Sequence, residues 1–348
     1  MSKKRVTIHD IAKMSNVSAM TVSRAIRKPE IVQRSTLKRI QNAIETLKYH
    51  ENVSDKFLSL STTKTIGICV SSFHKLFSST FFLDIIKGVE DFAEKNNYGL
   101  LVYNAKFDDY KHLYKYALLK EGKVDGMIVY SPYYEETSLD KLKQQNYNIV
   151  CLSGYPKTKK IDFVDGDNYG GISLAVEHLV RLGHKRIAFI KGSDHLSNSI
   201  DRERAFRDCM KKLELQINED YIIKGDFSPY VAFESTKSLF ELAVPPTAII
   251  AANDKMAIAA VDSLRSLGLK VPEDVAVVGF DDIDMTSFVH PSITTIRQPL
   301  YEMGSRACEV LLEKIKGKYK DEIIQEYLPM KLIVRESCGS NLLKRLKK

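Results

Sequence analysis

The chain has 348 residues, 44% of them apolar and 28% charged, which suits two or three globular domains with sizeable cores. Its net charge of +8 is carried entirely by residues 1–64, where 13 Lys and Arg face 5 Asp and Glu; the rest is balanced. The scattered cysteines Cys69, Cys151, Cys209, Cys308 and Cys338 form no CxxC pair, and no run approaches the ~18 apolar residues of a membrane span. A disulfide frame, a zinc site, secretion and membrane insertion are therefore not expected, and the cytoplasm is.

In chain order, Thr7 can cap a short helix over Ile8–Met14 with Asp10 as its capping-box partner. Ser15-Asn16-Val17 makes a tight connection, and Ser18 can cap a second helix running through Ile26. A third helix over Ser35–Lys48 carries Leu37, Ile40, Ile44 and Leu47 at helical spacing. Two short helices joined by three or four residues form a helix-turn-helix, whose second helix presents its first residues to base edges in the major groove. Ala19 and Met20 hold those positions, with Ser18, Thr21, Ser23 and Arg24 around them. The basic charge of the segment agrees with a nucleic-acid partner. The stretch 49–63 is a Ser/Thr-rich connector in which Asn52 can cap a turn or two of helix, too short to persist unless something packs on it.

From Thr65 onward, apolar strands alternate with helices: strands at Thr65–Val70, Tyr98–Tyr103, Val124–Tyr130 and Ile149–Leu152, helices at Phe82–Asn96, Tyr110–Glu121 and Leu139–Gln145. The series pauses at Phe163-Val164-Asp165. It then resumes with helices at Tyr169–Leu182, Asp201–Leu213, Val231–Leu242 and Lys255–Leu267, and strands at Arg186–Ile190, Tyr221–Lys224, Ala248–Ala252 and Val275–Gly279. Near-continuous apolar strands between helices mean parallel sheets covered on both faces. Two such sets suggest two lobes, with a ligand held beyond the carboxyl ends of the strands. No Gly-x-Gly-x-x-Gly, P-loop, nucleophile elbow or metal-ligand spacing is present, so neither nucleotide chemistry nor an enzyme is expected.

Thr7-Ile8-His9-Asp10-Ile11-Ala12, Val17-Ser18 and Thr21-Val22-Ser23-Arg24 resemble the lactose/galactose-repressor (LacI/GalR) family of bacterial transcription regulators. So do Glu177-His178-Leu179, Leu182–Ala188, Asn253-Asp254, Val275–Asp282, Thr294–Pro299 and Leu332–Ser337. The similarity runs from Val6 to Ser337 in the family's order. It implies a helix-turn-helix headpiece over residues 1–48 and a hinge over 49–63. A periplasmic-binding-protein-like core over 64–340 and a basic tail over 341–348 follow. The core's first lobe takes about 64–161 plus 296–326, its second about 162–295 plus 327–340. It further implies a homodimer on near-palindromic double-stranded operator DNA, without cofactor or metal, controlled by a small sugar or phosphosugar acting on carbohydrate-utilisation genes. A nucleobase co-repressor and a phosphorylated carrier protein are the alternative controls, and a sugar-binding protein without regulatory role the alternative of another class.

Carried over residue by residue, Thr7, Ser18, Ala19, Met20, Thr21, Ser23, Arg24, Asn52, Lys56 and Leu58 fall at DNA-contacting positions, Leu58 as the minor-groove wedge. Glu51 and Asp55 stand where relatives carry Pro and Ala, and place acids beside phosphates. Phe81, Phe82, Ser153, Arg202, Asn253, Asp281 and Gln298 are the implied effector residues. Arg202 suits bidentate contact with hydroxyls, carboxylate or phosphate. Asn253 and Asp281 both have helix capping after a strand as their competing role.

Overall fold

The computed structural model describes residues 8–27, 29–47, 62–70, 80–104, 117–158, 160–319 and 322–340. The chain divides into two compact units, 1–63 and 64–348.

In the first unit, helices α1 (Ile8–Ser15), α2 (Ala19–Arg27) and α3 (Arg34–Thr46) enclose Ile11, Ala12, Val22, Ala25, Ile40 and Ala43. Asn16 supplies the left-handed residue (φ 51°) that turns α1 into α2. Ser18 caps α2, its Oγ accepting from the Thr21 amide at 3.1 Å and meeting the Thr21 hydroxyl at 2.8 Å.

The second unit begins with strand β1 (Thr65–Val70) and helix α4 (Thr80–Lys95), then β2 (Gly99–Asn104), α5 (Ala117–Lys120), β3 (Gly126–Tyr130), α6 (Ser138–Gln144), β4 (Ile149–Leu152) and β5 (Asp162–Gly166). Next come α7 (Asn168–Arg181), β6 (Ile187–Lys191), α8 (Ser197–Lys212), β7 (Ile222–Lys224), α9 (Pro229–Leu239), β8 (Ala248–Ala251), α10 (Asp254–Ser266), β9 (Ala276–Val278) and α11 (Met285–Phe288). The chain ends with β10 (Thr295–Arg297), α12 (Leu300–Ile315), β11 (Gln325–Leu328) and β12 (Lys331–Ile333).

Two parallel sheets result. One has the order β11-β5-β4-β3-β1-β2, the other β7-β6-β8-β9, and β10 pairs antiparallel with β12 in a separate two-stranded sheet. Both sheets are coated by helices, and the inner strands β1, β3, β4 and β8 are apolar and buried on both faces, whereas the edge strands β7 and β11 expose polar residues. On one face of the first sheet α4 and α12 cross at backbone contact. A Cβ on Gly304 would stand 2.1 Å from the Ile85 carbonyl oxygen, and one on Gly88 2.0 Å from that of Tyr301.

The chain passes between the sheets after Gly166, after Arg297 and after Leu328. This corrects the expectation at 162. The segment read as a pause is β5, paired with β4 and β11 in the first sheet, so residues 162–166 belong to the first lobe and not the second. Asp162 disguises it in sequence. A carboxylate normally argues against a fully buried strand, but this one takes Lys143 Nζ at 2.6 Å, Lys314 Nζ at 2.9 Å and the Ile324 amide at 2.7 Å. The expected first-lobe limit at 326 likewise moves to Leu328, the end of β11.

Candidate functional site

On the headpiece, Met20 is 72% exposed at the start of α2, and Arg24, one turn later, is exposed on the same side. Ala19 is half-buried against the three-helix core. The hydroxyls of Ser18 and Thr21 are engaged with each other, and Ser23 is half-buried. α2 therefore presents one thioether and one guanidinium outward. Thr7, Asn52, Lys56 and Leu58, with Glu51 and Asp55, lie outside the described residues.

In the core, the carboxyl ends of both sheets deliver side chains to one place. Arg202 sits on α8, which begins at Ser197, four residues earlier than the spacing predicts, and is 3% exposed. Its Nε donates to Asn168 Oδ1 at 2.8 Å and its Nη1 to the Ala252 carbonyl at 2.5 Å. Nη1 also lies 4.0 Å from Asp281 Oδ1, and the guanidinium stacks over Phe280 at 3.8 Å with the Phe227 ring 6.0 Å away. Asp281 follows β9 with φ 125°, and Asp282 has φ 64°; two successive non-glycine residues in this half of the map are costly and mark a site where geometry overrides local preference.

Asp281 Oδ1 accepts from Gln298 Nε2 at 2.7 Å, so the second crossing segment fixes the carboxylate. Asp282 is clamped by Arg335 Nη2 at 2.7 Å and Arg297 Nε at 2.5 Å. Asp165 closes the first-lobe side. It takes the Gly166 amide at 2.8 Å and Asn168 Nδ2 at 3.1 Å, so that Asn168 links it to Arg202. Tyr130, at the end of β3, points a buried phenol at Ser153 and lies close enough to Asp281 and Arg202 to feel both charges.

Electrostatics follow from burial. Desolvation pushes the carboxyl of Asp165 up to about 7, against the opposing pull of the Gly166 amide and Arg202. Desolvation also raises Asp281, held back by Arg202 and raised further by Asp254, and raises Asp254 itself. Burial lowers Arg202, while Asp281, Asp165 and Asp254 restore it as a cation. At Asp281 and Asp165 the Arg202 guanidinium thus opposes the protonation that burial favours.

Of the residues expected here, Arg202, Asp281, Gln298 and Ser153 converge. Asn253 caps α10, its Oδ1 accepting from the Met256 amide at 2.9 Å. Phe82 is fully buried and meets Tyr130 edge-on, 4.9 Å between centroids, and Phe81 packs beside it on the same core. Sequence reasoning missed Tyr130, Asp165, Asn168, Phe227, Phe280 and Asn198. Asn198, one turn before Arg202, carries a buried Oδ1 without a hydrogen-bond partner among the described residues. The signal that could have found Tyr130 and Asp165 is their place as the last polar residues of apolar strands.

The LacI model of bacterial regulatory proteins of the lacI family matches residues 7–52, and a periplasmic-binding-protein-like domain matches residues 176–338. The HTH-type transcriptional repressor PurR of Haemophilus influenzae is 33% identical over 340 residues, 97% of this chain and 99% of the relative. Among solved structures, a complex of the transcriptional regulator CelR with cellobiose has a TM-score of 0.74 at 29% identity, covering 96% of this chain and 100% of that one. The lac repressor dimer bound to operator and the anti-inducer ONPF has 0.79 at 26%, covering 96% and 99%. Repressors of this family bind operator DNA as dimers and respond to small molecules. With its helix-turn-helix headpiece and its two-sheet core, the chain belongs to the lacI family and is a DNA-binding transcriptional repressor, not an enzyme.

Proposed function

We propose that this repressor, a cytoplasmic homodimer, binds a near-palindromic operator of carbohydrate-utilisation genes through Met20 and Arg24. We further propose that it is controlled by a neutral, hydroxyl-rich effector, a small sugar, held among Arg202, Asp281, Asn198 and Tyr130. One observation carries the choice of a neutral ligand: the Arg202 cation is already matched by Asp281 at 4.0 Å and by Asp165 through Asn168. Its Nε and one Nη1 hydrogen are spent on Asn168 and Ala252. A phosphate here would meet more carboxyl than free cation, which weighs against the phosphosugar of the original expectation. Hydroxyls can donate to Asp281 and accept from the remaining guanidinium hydrogens, and sugar C–H faces suit the rings of Phe227 and Tyr130.

A nucleobase co-repressor is the second reading. It is favoured by the PurR name of the relatives and by the flat ring of Phe227 beside a donor and an acceptor.

Calorimetric titration of the full-length protein with neutral mono- and disaccharides, their phosphate esters, and purine bases tests the assignment. Binding of a neutral sugar, lost in Asp281→Asn and absent for its phosphate ester, is the expected result. Preference for the ester overturns the charge argument, and binding of a purine alone selects the second reading.

A further inference from the structure

Beside the cleft, the lobes touch directly. Residues 131–136 follow β3 and 153–157 follow β4 in the first lobe, and 195–201 opens α8 in the second. The Tyr134 amide donates to the His195 carbonyl at 2.8 Å, and Tyr133 and Leu196 form an antiparallel bridge. The Tyr155 amide donates to Ser197 Oγ at 2.8 Å, and the Tyr155 hydroxyl donates to Asp201 Oδ2. Gly154, at φ 136°, permits this approach, since a Cβ there would lie 3.1 Å from Ser197 Oγ. Tyr155 is itself fixed to the first lobe by stacking on Phe163, 4.7 Å between centroids at 27°. Both partners are buried, Tyr155 at 2% and Asp201 at 5% exposed.

The two segments are read alternately. Ser153 faces Tyr130 and the cleft, whereas Tyr155, two residues on, faces α8. On α8, Asn198 and Arg202 share one face, whereas Ser197 and Asp201, also one turn apart, share the next and meet Tyr155. Asp201 directly precedes the cleft guanidinium, so whatever holds Asp201 holds Arg202.

We propose that Tyr155 and Asp201 form a clasp between the lobes that needs no effector and that positions Arg202 for binding. The phenol is the right donor for the task. Burial and the neighbouring carboxylate push its ionisation far above the ordinary tyrosine value, so it keeps its proton at any physiological pH. Asp201 keeps a second partner in Arg204 Nη2 at 2.8 Å, which neutralises the carboxylate without competing for the oxygen that meets Tyr155. An effector shifts an equilibrium between lobe arrangements only by its differential affinity for them. A clasp already closed in the free protein removes part of the ordering cost of binding and biases the lobes toward the binding arrangement. The inference is independent of which ligand the cleft takes.

The test uses full-length, ligand-free protein with keto-bearing residues at the exposed positions Lys141, on α6, and Lys211, on α8, coupled to nitroxides for pulsed-EPR distance measurement. The native cysteines are all buried and are left in place. With the labelled protein diluted into unlabelled protein, so that a labelled dimer carries one labelled protomer, the parent should give one distance population. Tyr155→Phe, which keeps the ring on Phe163 and removes the donor to Asp201 together with the hydroxyl's contact with Tyr327 inside the first lobe, should add a longer one, as should Asp201→Ala. Asp201→Asn retains an acceptor and should return the parent distribution, and Tyr155→Phe/Asp201→Ala should look like Asp201→Ala alone. A single parental distance in Tyr155→Phe overturns the clasp, even if its melting temperature falls, because a purely structural hydrogen bond would change stability and not lobe separation. Should Asp201→Ala fail to fold, Tyr155→Phe decides by itself.

Discussion

Arg202 Nη1, buried, and Asp281 Oδ1, half-buried, lie 4.0 Å apart beyond the strand ends, and each is fixed by a different part of the chain. Asn168 and the Ala252 carbonyl hold the guanidinium, and Gln298 holds the carboxylate. The pair is thus a preorganised donor and acceptor with a gap between them, wide enough for each to bind a ligand group without first breaking a direct ion pair.

Removing the cation exposes this dependence. Arg202→Met is expected to cost about 3 kcal/mol at neutral pH, at the low end for breaking a buried pair because Asp281 and Asp165 can take up protons in response. The loss should shrink at pH 5.5, where that protonation is cheaper. Urea unfolding at the two pH values checks it. An equal loss at both would mean the carboxyls are not what Arg202 compensates.

The raised carboxyls also set a pH dependence. Asp165 titrates near 7 in the folded state against 3.8 as an unperturbed group, and Asp281 and Asp254 shift in the same direction. Between those limits the native state holds more protons than the unfolded one. The contribution of Asp165 to stability is therefore full below 3.8 and is lost as pH rises through about 7. Melting temperatures of the parent and of Asp165→Asn across this range should converge toward acid pH and separate toward neutral pH, with the variant the more stable at pH 7.5.

On the headpiece, capping and reading separate. Ser18→Ala removes the acceptor for the Thr21 amide and should cost about 1 kcal/mol of headpiece stability with no change in preferred sequence. Exchanging Ala19 and Met20 for two polar residues should leave stability nearly unchanged. It should alter half-site preference by about 1–3 kcal/mol per affected base pair. Selection of binding sites from a random DNA pool for both variants distinguishes the two; an unchanged consensus after the Ala19/Met20 exchange removes them from the reading surface.

The crossing of α4 and α12 offers a test of the core. Gly304→Ala would put a methyl 2.1 Å from the Ile85 carbonyl oxygen, backbone that cannot swing aside, and should cost about 3 kcal/mol or prevent folding of the core. Gly183→Ala, where nothing stands within 4 Å and only a φ of 94° opposes the change, should cost about 1 kcal/mol. Thermal denaturation of the two variants should preserve that order.

Local rules sufficed wherever the chain obeys them. The turn at Asn16, the Ser18 cap, the helices of the headpiece and most strands of both sheets follow from periodicity and capping chemistry, which act within a few residues. Arg202, Asp281 and Gln298 could be picked out from motif resemblance, and they do converge. β5 escaped because Asp162 and Asp165 break its apolar pattern, and the lysines that neutralise Asp162 lie 19 and 152 residues away in sequence. The early start of α8 escaped because Ser197-Asn198-Ser199 reads as a loop, while in the fold Ser197 is bound to Tyr155 from the other lobe.

By itself, then, the order of residues determined that a basic three-helix module precedes two α/β sets, because hydrogen bonding within helices and burial of alternating patterns are short-range demands. Only the tertiary structure decided which ionisable groups share a site and in what charge state. That Arg202 is a compensated cation, that Asp165 faces it through Asn168, and that Tyr155 reaches across to Asp201 all depend on groups brought together by three passages of the chain between sheets. Desolvation acts through space, and no local pattern along the sequence records it.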